Sequence, residues 1–174
     1  MTLAQSLAKS ERTLLVDADL RMSTLGMRFG LPFRLRGLTD LLLFDGRASD
    51  FIKPTDTANL DILPAGRLTE NPSELIRSQE FKALLKQLQH SYDRIVIDTP
   101  PMKAVKDSLY LGQLAGGVLL VMKASQSGEK ALKGALETIS NNNIDIDGIV
   151  INQLNIATAP AAEILHSLAP LIAV

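Results

Sequence analysis

Apolar residues along this chain fall into short continuous runs that alternate with stretches spaced three and four apart. Thr2–Lys9, with Leu3, Ala4, Leu7 and Ala8, has helical spacing and leads into a strand over Thr13–Asp17. After Arg21 comes an irregular segment, then a short apolar helix over Gly37–Phe44 closed by Asp45-Gly46. Asn59–Leu63 predicts a second strand, stopped by Pro64. Pro72–Ser91 predicts one or two helices, with Asn71 or Ser73 as cap and Leu75, Ile76, Phe81, Leu84, Leu85 and Leu88 on the apolar face. Arg94–Asp98 and Gly117–Met122 predict the third and fourth strands. An amphipathic helix over Ser127–Ser140, stopped by Asn141-Asn142-Asn143, precedes a fifth strand at Gly148–Asn152. Ala161–Leu168 reads as a helix and Leu171–Val174 as a candidate final strand.

Continuous apolar strands separated by helices predict βαβ units and a mainly parallel sheet. Right-handed crossovers then place helices on both faces, giving an α/β fold. No internal repeat or linker interrupts residues 1–174, so one domain is expected. Composition agrees: 46% hydrophobic and 21% charged residues suit a globular protein. A net charge of −1 without a block of like charges argues against nucleic-acid or membrane-surface binding. The absence of cysteine excludes disulfides, thiolate metal sites and cysteine nucleophiles. No apolar run approaches the roughly 20 residues of a membrane-spanning helix, and Met1–Ala8 does not read as a signal peptide. A cytoplasmic domain is expected.

Two strands end in carboxylates. Leu14-Leu15-Val16 runs into Asp17-Ala18-Asp19-Leu20-Arg21, and Ile95-Val96-Ile97 runs into Asp98-Thr99-Pro100-Pro101. Parallel sheets bind ligands at their carboxyl edge, where paired carboxylates can hold a magnesium water shell or accept a proton from an attacking hydroxyl. Arg21 adds a forked cation suited to phosphate or to locking those carboxylates in place. The plainer alternative is that strand-end aspartates cap loops and pair with Arg21. Asn71-Pro72-Ser73-Glu74-Leu75 can equally be a helix start, with Asn71 as cap. Asn152 can recognise a base through its amide or merely close a turn. His90 and His166 lack metal-ligand spacing, and Tyr92 and Tyr110 read as packing residues. Lys123, Lys130 and Lys133 have no glycine loop around them and read as solvated.

Together these residues resemble the cytoplasmic domain of bacterial tyrosine kinases (BY-kinases) of capsule and exopolysaccharide synthesis. That family lies in the deviant-Walker group of phosphate-loop ATPases, beside the MinD/ParA partition ATPases. Leu15–Arg21 matches its Walker A′ motif and Ile95–Pro101 its Walker B motif. Gly37-Leu38-Thr39-Asp40-Leu41-Leu42, and Pro64-Ala65-Gly66 leading to Asn71-Pro72-Ser73-Glu74-Leu75, resemble segments of the kinase branch. The resemblance spans roughly residues 2 to 155 and implies a phosphate-loop NTPase-like fold using ATP and Mg2+. It implies that Asp17 and Asp19 organise the metal and help activate an acceptor tyrosine hydroxyl. Asp98 would hold the metal through water, Arg21 would support the phosphate site or a subunit contact, and Asn152 would lie near the adenine. Implied partners are a transmembrane polysaccharide co-polymerase that activates the kinase, further copies of the chain, and protein tyrosines. The implied location is cytoplasmic, peripheral at the inner membrane through that partner.

The chain departs from the family pattern in defined places. No Gly-x-x-x-x-Gly-Lys-Ser/Thr phosphate loop occurs in these residues, and Tyr92 and Tyr110 do not form a C-terminal tyrosine cluster. The family's N-terminal oligomerisation segment has no counterpart either. The strand that precedes such a loop is expected to be missing, leaving its two neighbours with open edges. Residues 1–174 alone are therefore expected to fold poorly or to recruit a strand from a partner. The leading functional expectation is a protein-tyrosine kinase domain, impaired without its phosphate loop. The alternatives are a non-catalytic module docking on a membrane co-polymerase, or a MinD/ParA-type ATPase. Against the last stand Asn71-Pro72-Ser73-Glu74 and the stretch Ala159–Val174, which lacks the basic amphipathic character expected of a membrane-targeting helix.

Overall fold

Strand β1 (Thr13–Asp17) is buried along its whole length, the mark of an inner parallel strand. It belongs to a computed structural model that describes residues 2–33, 35–44, 46–123 and 129–153. The chain forms two compact units, Met1–Leu111 and Gly112–Val174. In the first, α1 (Thr2–Leu7) precedes β1. Three short helices follow, α2 (Leu25–Arg28), α3 (Leu38–Leu43) and α4 (Ala48–Phe51). Next come β2 (Lys53–Pro54), β3 (Leu60–Leu63), α5 (Pro72–Arg77), α6 (Gln79–Leu88) and β4 (Arg94–Asp98). Helix α7 (Asp107–Leu114) begins in this unit.

The strand order is β2-β3-β1-β4. Strands β3, β1 and β4 are parallel, whereas β2 runs antiparallel to β3. Pro54 is tolerated there because β2 lies at the edge. Ile62, Leu15 and Val96 stand in register across three strands. They pack with Ala4 of α1 and with Ala8 just beyond it into one apolar cluster. The neighbouring β1 residues, Leu14 and Val16, point to the opposite face and are equally buried, so both faces of the sheet are covered.

The second unit holds β5 (Leu119–Lys123), α8 (Glu129–Ser140) and β6 (Gly148–Asn152). Strands β5 and β6 pair in parallel, with Lys123 opposite Asn152. Among the described residues β4 pairs only with β1, and β5 only with β6. The apolar run Ile95–Ile97 is consequently only half-buried, while its counterpart Leu14–Val16 in β1 is fully buried.

The α/β class and the parallel sheet agree with expectation. The helical stretch 72–91 divides at Ser78, whose extended backbone breaks the helix and whose hydroxyl oxygen accepts from the Phe81 amide to cap α6. Asn71 occupies the N-cap position of α5, but its side chain makes no capping bond. Helices α2, α4 and α7 and strand β2 were not expected. In α7 the apolar residues Leu109, Tyr110 and Leu111 are consecutive, without helical spacing. The expected elements at Ala161–Leu168 and Leu171–Val174, and His166, lie outside the described residues, as do the first residues expected of α8.

Candidate active site

Parallel pairing of β1 with β4 places Asp17 directly opposite Asp98 at the carboxyl ends of both strands. Asp17 is fully buried. Its Oδ2 accepts from the Ser23 hydroxyl at 2.6 Å, and its Oδ1 from the Asp19 amide at 3.2 Å. Burial pushes the Asp17 carboxyl up to about 6, and the charges of Asp98 and Asp19 add to that rise. The two hydrogen bonds oppose the rise without cancelling it. The Asp98 carboxyl, at the open end of β4, is also raised, by desolvation and by Asp19. Like charges thus crowd one strand end, and a divalent cation there would relieve both desolvation and repulsion.

Asp19 lies beyond the end of β1 and caps the following turn. Its Oδ1 accepts from the Arg21 amide at 3.2 Å and the Met22 amide at 3.0 Å. The plainer reading, a loop-capping aspartate, accounts for these bonds. Arg21 reaches elsewhere: its Nη2 donates to Ser73 Oγ at 2.8 Å and to Asp107 Oδ2 at 3.2 Å. Asp17, Asp19, Arg21 and Asp98 are therefore assembled in one unit. Asn152 belongs to the second unit, where its side-chain oxygen accepts from the Gln153 amide at 2.8 Å, the local turn that sequence offered as an alternative. Among the described residues no three His, Cys, Asp or Glu side chains form a ready-made metal cage. Two carboxylates still suit Mg2+, which keeps much of its water and takes further oxygens from phosphates.

Ser23 and Asp107 were missed in the sequence. Nothing in the sequence around Ser23 points to Asp17, and Asp107 opens the helix that lacked a periodic signal. Beside Ser23 a groove of about 330 Å3 runs between Met22, Met27, Phe33, Pro64 and Leu68, with Arg21 at its rim.

The kinase-branch segments form a brace next to this groove. Leu38 and Thr39 donate their amides to the Pro64 and Ala65 carbonyls at 2.7 and 2.9 Å. Buried Asp40 accepts from the Gly37 amide at 3.0 Å and from Arg67 Nε at 2.6 Å. Burial alone would raise Asp40; the Gly37 amide and the Arg67 side chain and amide together hold it below the usual carboxylate range. A side chain at Gly37 would run into the Pro64 carbonyl, and Gly66 adopts φ +91°, so both positions need glycine.

Neither tyrosine presents a free hydroxyl. Tyr92 donates to Asp61 Oδ2 at 2.8 Å, with Arg12 over its ring, and desolvation together with Asp61 pushes its hydroxyl up to about 12. The Tyr110 hydroxyl is enclosed, with Arg77 facing the ring.

Comparison with known proteins agrees with this geometry. The AAA domain family matches residues 1–147. Tyrosine-protein kinase wzc of Salmonella typhimurium is 34% identical over 144 residues, which cover 83% of this chain and 20% of that protein. The chain thus spans about a fifth of that relative. Tyrosine-protein kinase CpsD of Streptococcus agalactiae is 30% identical over 159 residues, covering 91% of this chain and 68% of CpsD. Among solved structures, the VpsO kinase domain superposes with a TM-score of 0.84 at 40% identity, over 88% of this chain and 75% of that one. The register of Asp17 against Asp98, the braced Gly37–Asp40 segment and these matches place the chain in the bacterial tyrosine kinase (BY-kinase) family of phosphate-loop NTPase-like domains.

Proposed function

We propose that this domain transfers the terminal phosphoryl group of ATP to protein tyrosines, in a system that builds or exports a capsular or extracellular polysaccharide. The observation that carries this reading is the pairing of Asp17 with Asp98 at the carboxyl ends of adjacent parallel strands. Asp98 and Asp17 would hold Mg2+ through its water shell, and the cation would neutralise charge on the transferring phosphoryl group. Asp17, buried at the end of β1, would also help to accept the acceptor's proton. Asp19 keeps the loop shaped around it through the Arg21 and Met22 amides. The groove beside Ser23, walled by methionines and Phe33, suits an aromatic acceptor side chain.

A membrane co-polymerase as activator and assembly into oligomers complete the proposal. Both tyrosine hydroxyls are engaged or enclosed, so the acceptors are expected on other segments or other proteins.

The test is phosphate transfer from labelled ATP by the full-length protein, with and without Mg2+. Mg2+-dependent phosphotyrosine that disappears in Asp98→Asn is expected. Equal labelling in wild type and variant would contradict the reading. A second reading is a regulatory module of the same fold, consistent with Arg21 being engaged by Ser73 and Asp107. Retained binding to a membrane co-polymerase without any ATP binding would support that one instead.

A further inference from the structure

Arg21 belongs to the A′ segment, yet its guanidinium is committed to side chains far along the chain. Nη2 reaches Ser73 Oγ at 2.8 Å near the start of α5, and Asp107 Oδ2 at 3.2 Å at the start of α7. The Arg21 side chain is 38% exposed, but that of Asp107 is only 4% exposed. Asp107 meets its cation only because the loop after Asp19 turns back toward α7. Asp19 shapes that turn by accepting from the Arg21 and Met22 amides, and Ser23 at its far end donates to Asp17. The bonds therefore form one continuous path: Asp107 and Ser73 to Arg21, the Arg21 backbone to Asp19, and Ser23 to Asp17.

Energetics argue that this contact serves geometry more than fold stability. Burying Asp107 costs solvation, which an ion pair to a partly exposed arginine does little more than offset. What such a pair supplies is direction, since a planar guanidinium fixes angles as well as distances. We propose that Asp107 is a positioning residue for the phosphotransfer site: with Ser73 it holds Arg21 and thereby sets the Asp17–Ser23 loop. The inference rests on the kinase reading above for its effect on rate, though not for its effect on the loop.

Two measurements on the full-length protein separate these. The first is phosphotransfer by Asp107→Asn, Ser73→Ala and Arg21→Lys. Misplacing a reacting group by about an ångström costs about 100-fold, so Asp107→Asn should lower kcat by about 10- to 100-fold. KM for ATP should change less than kcat, because the path ends on Asp17, whose proposed role includes the transfer step itself. Ser73→Ala should show a smaller loss in the same direction. Arg21→Lys, which cannot grip both partners, should lose activity and be no worse when combined with Asp107→Asn.

The second measurement is amide hydrogen exchange at residues 19–23. It should accelerate in Asp107→Asn and in Ser73→Ala, whatever the catalytic rate. Wild-type kcat in Asp107→Asn would overturn the proposal, as would unchanged exchange at those amides. If the wild type transfers no phosphate, the kinase reading fails and the exchange data alone decide the latch. If Asp107→Asn does not fold, Ser73→Ala and Arg21→Lys decide it in the same way.

Discussion

Asp17 combines the chemistry of the site with its least comfortable charge. Its carboxyl titrates near 6 in the fold, against about 3.9 in an unfolded chain. The folded state thus holds the proton more tightly between those values. The stability it contributes is complete below about pH 4 and is lost as pH rises through about 6. The difference amounts to about 3 kcal/mol above pH 7 when no cation is bound. Asp17→Asn removes that penalty, so the variant should be more stable than wild type at pH 8 and nearly equal at pH 4. Added Mg2+ should stabilise the wild type at pH 8 and leave Asp17→Asn almost unmoved. Urea unfolding at pH 4, 6 and 8, with and without Mg2+, reads both effects. A wild-type stability that rises between pH 4 and 8 as much as that of Asp17→Asn would contradict the assignment. The positions of Asp17 and Asp98 at strand ends were legible, because a continuous apolar run followed by a carboxylate is a local pattern. Ser23, the partner of Asp17, and Asp107, the partner of Arg21, were not: the first sits in an irregular loop, and a hydrogen bond across 86 residues leaves no periodic trace.

Elements with regular spacing were legible almost to the residue, as β1 and β4 show. Single-turn helices and the two-residue β2 were not, since they contain too few residues to establish a period. The segment around Gly37 was legible as a motif, but its purpose emerges only in three dimensions. It closes the α3 N-terminus onto the Pro64–Gly66 turn through backbone bonds and buried Asp40. Gly37→Ala should destabilise the protein by about 2 kcal/mol or more, because the Pro64 backbone must shift. Asp40→Ala should cost about 3 kcal/mol, having removed the partner of the Gly37 amide and of Arg67. Denaturant midpoints check both, and losses below 1 kcal/mol would show that the brace is dispensable. Asp40 lies below the usual carboxylate range, so its contribution has the opposite pH sign to that of Asp17. It is present above about pH 4 and lost as pH falls through the folded value.

Taken as a molecule, the chain has two compact units, and the edge strand β4 of the first carries a buried-type sequence while pairing, among the described residues, only with β1. Such an edge invites pairing with another strand. Residues 1–174 on their own are therefore expected to self-associate and to bind hydrophobic dyes, as sedimentation and dye fluorescence would report. A monomer that unfolds cooperatively and binds no dye would show that the edge is adequately protected. Sequence disclosed the α/β class and the carboxylate edge. It could not disclose the two units, because the boundary at Leu111 lies inside α7 and no change in composition marks it.

For the kinase reading, the decisive quantity is the Mg2+ dependence of tyrosine phosphorylation by the full-length protein, measured for wild type and Asp17→Asn at pH 7.5. Transfer that saturates with Mg2+ in the wild type and falls by at least about 100-fold in Asp17→Asn is the expected result. The same rate in both proteins, or transfer indifferent to Mg2+, would contradict the assignment of Asp17 and Asp98 as the metal-bearing pair.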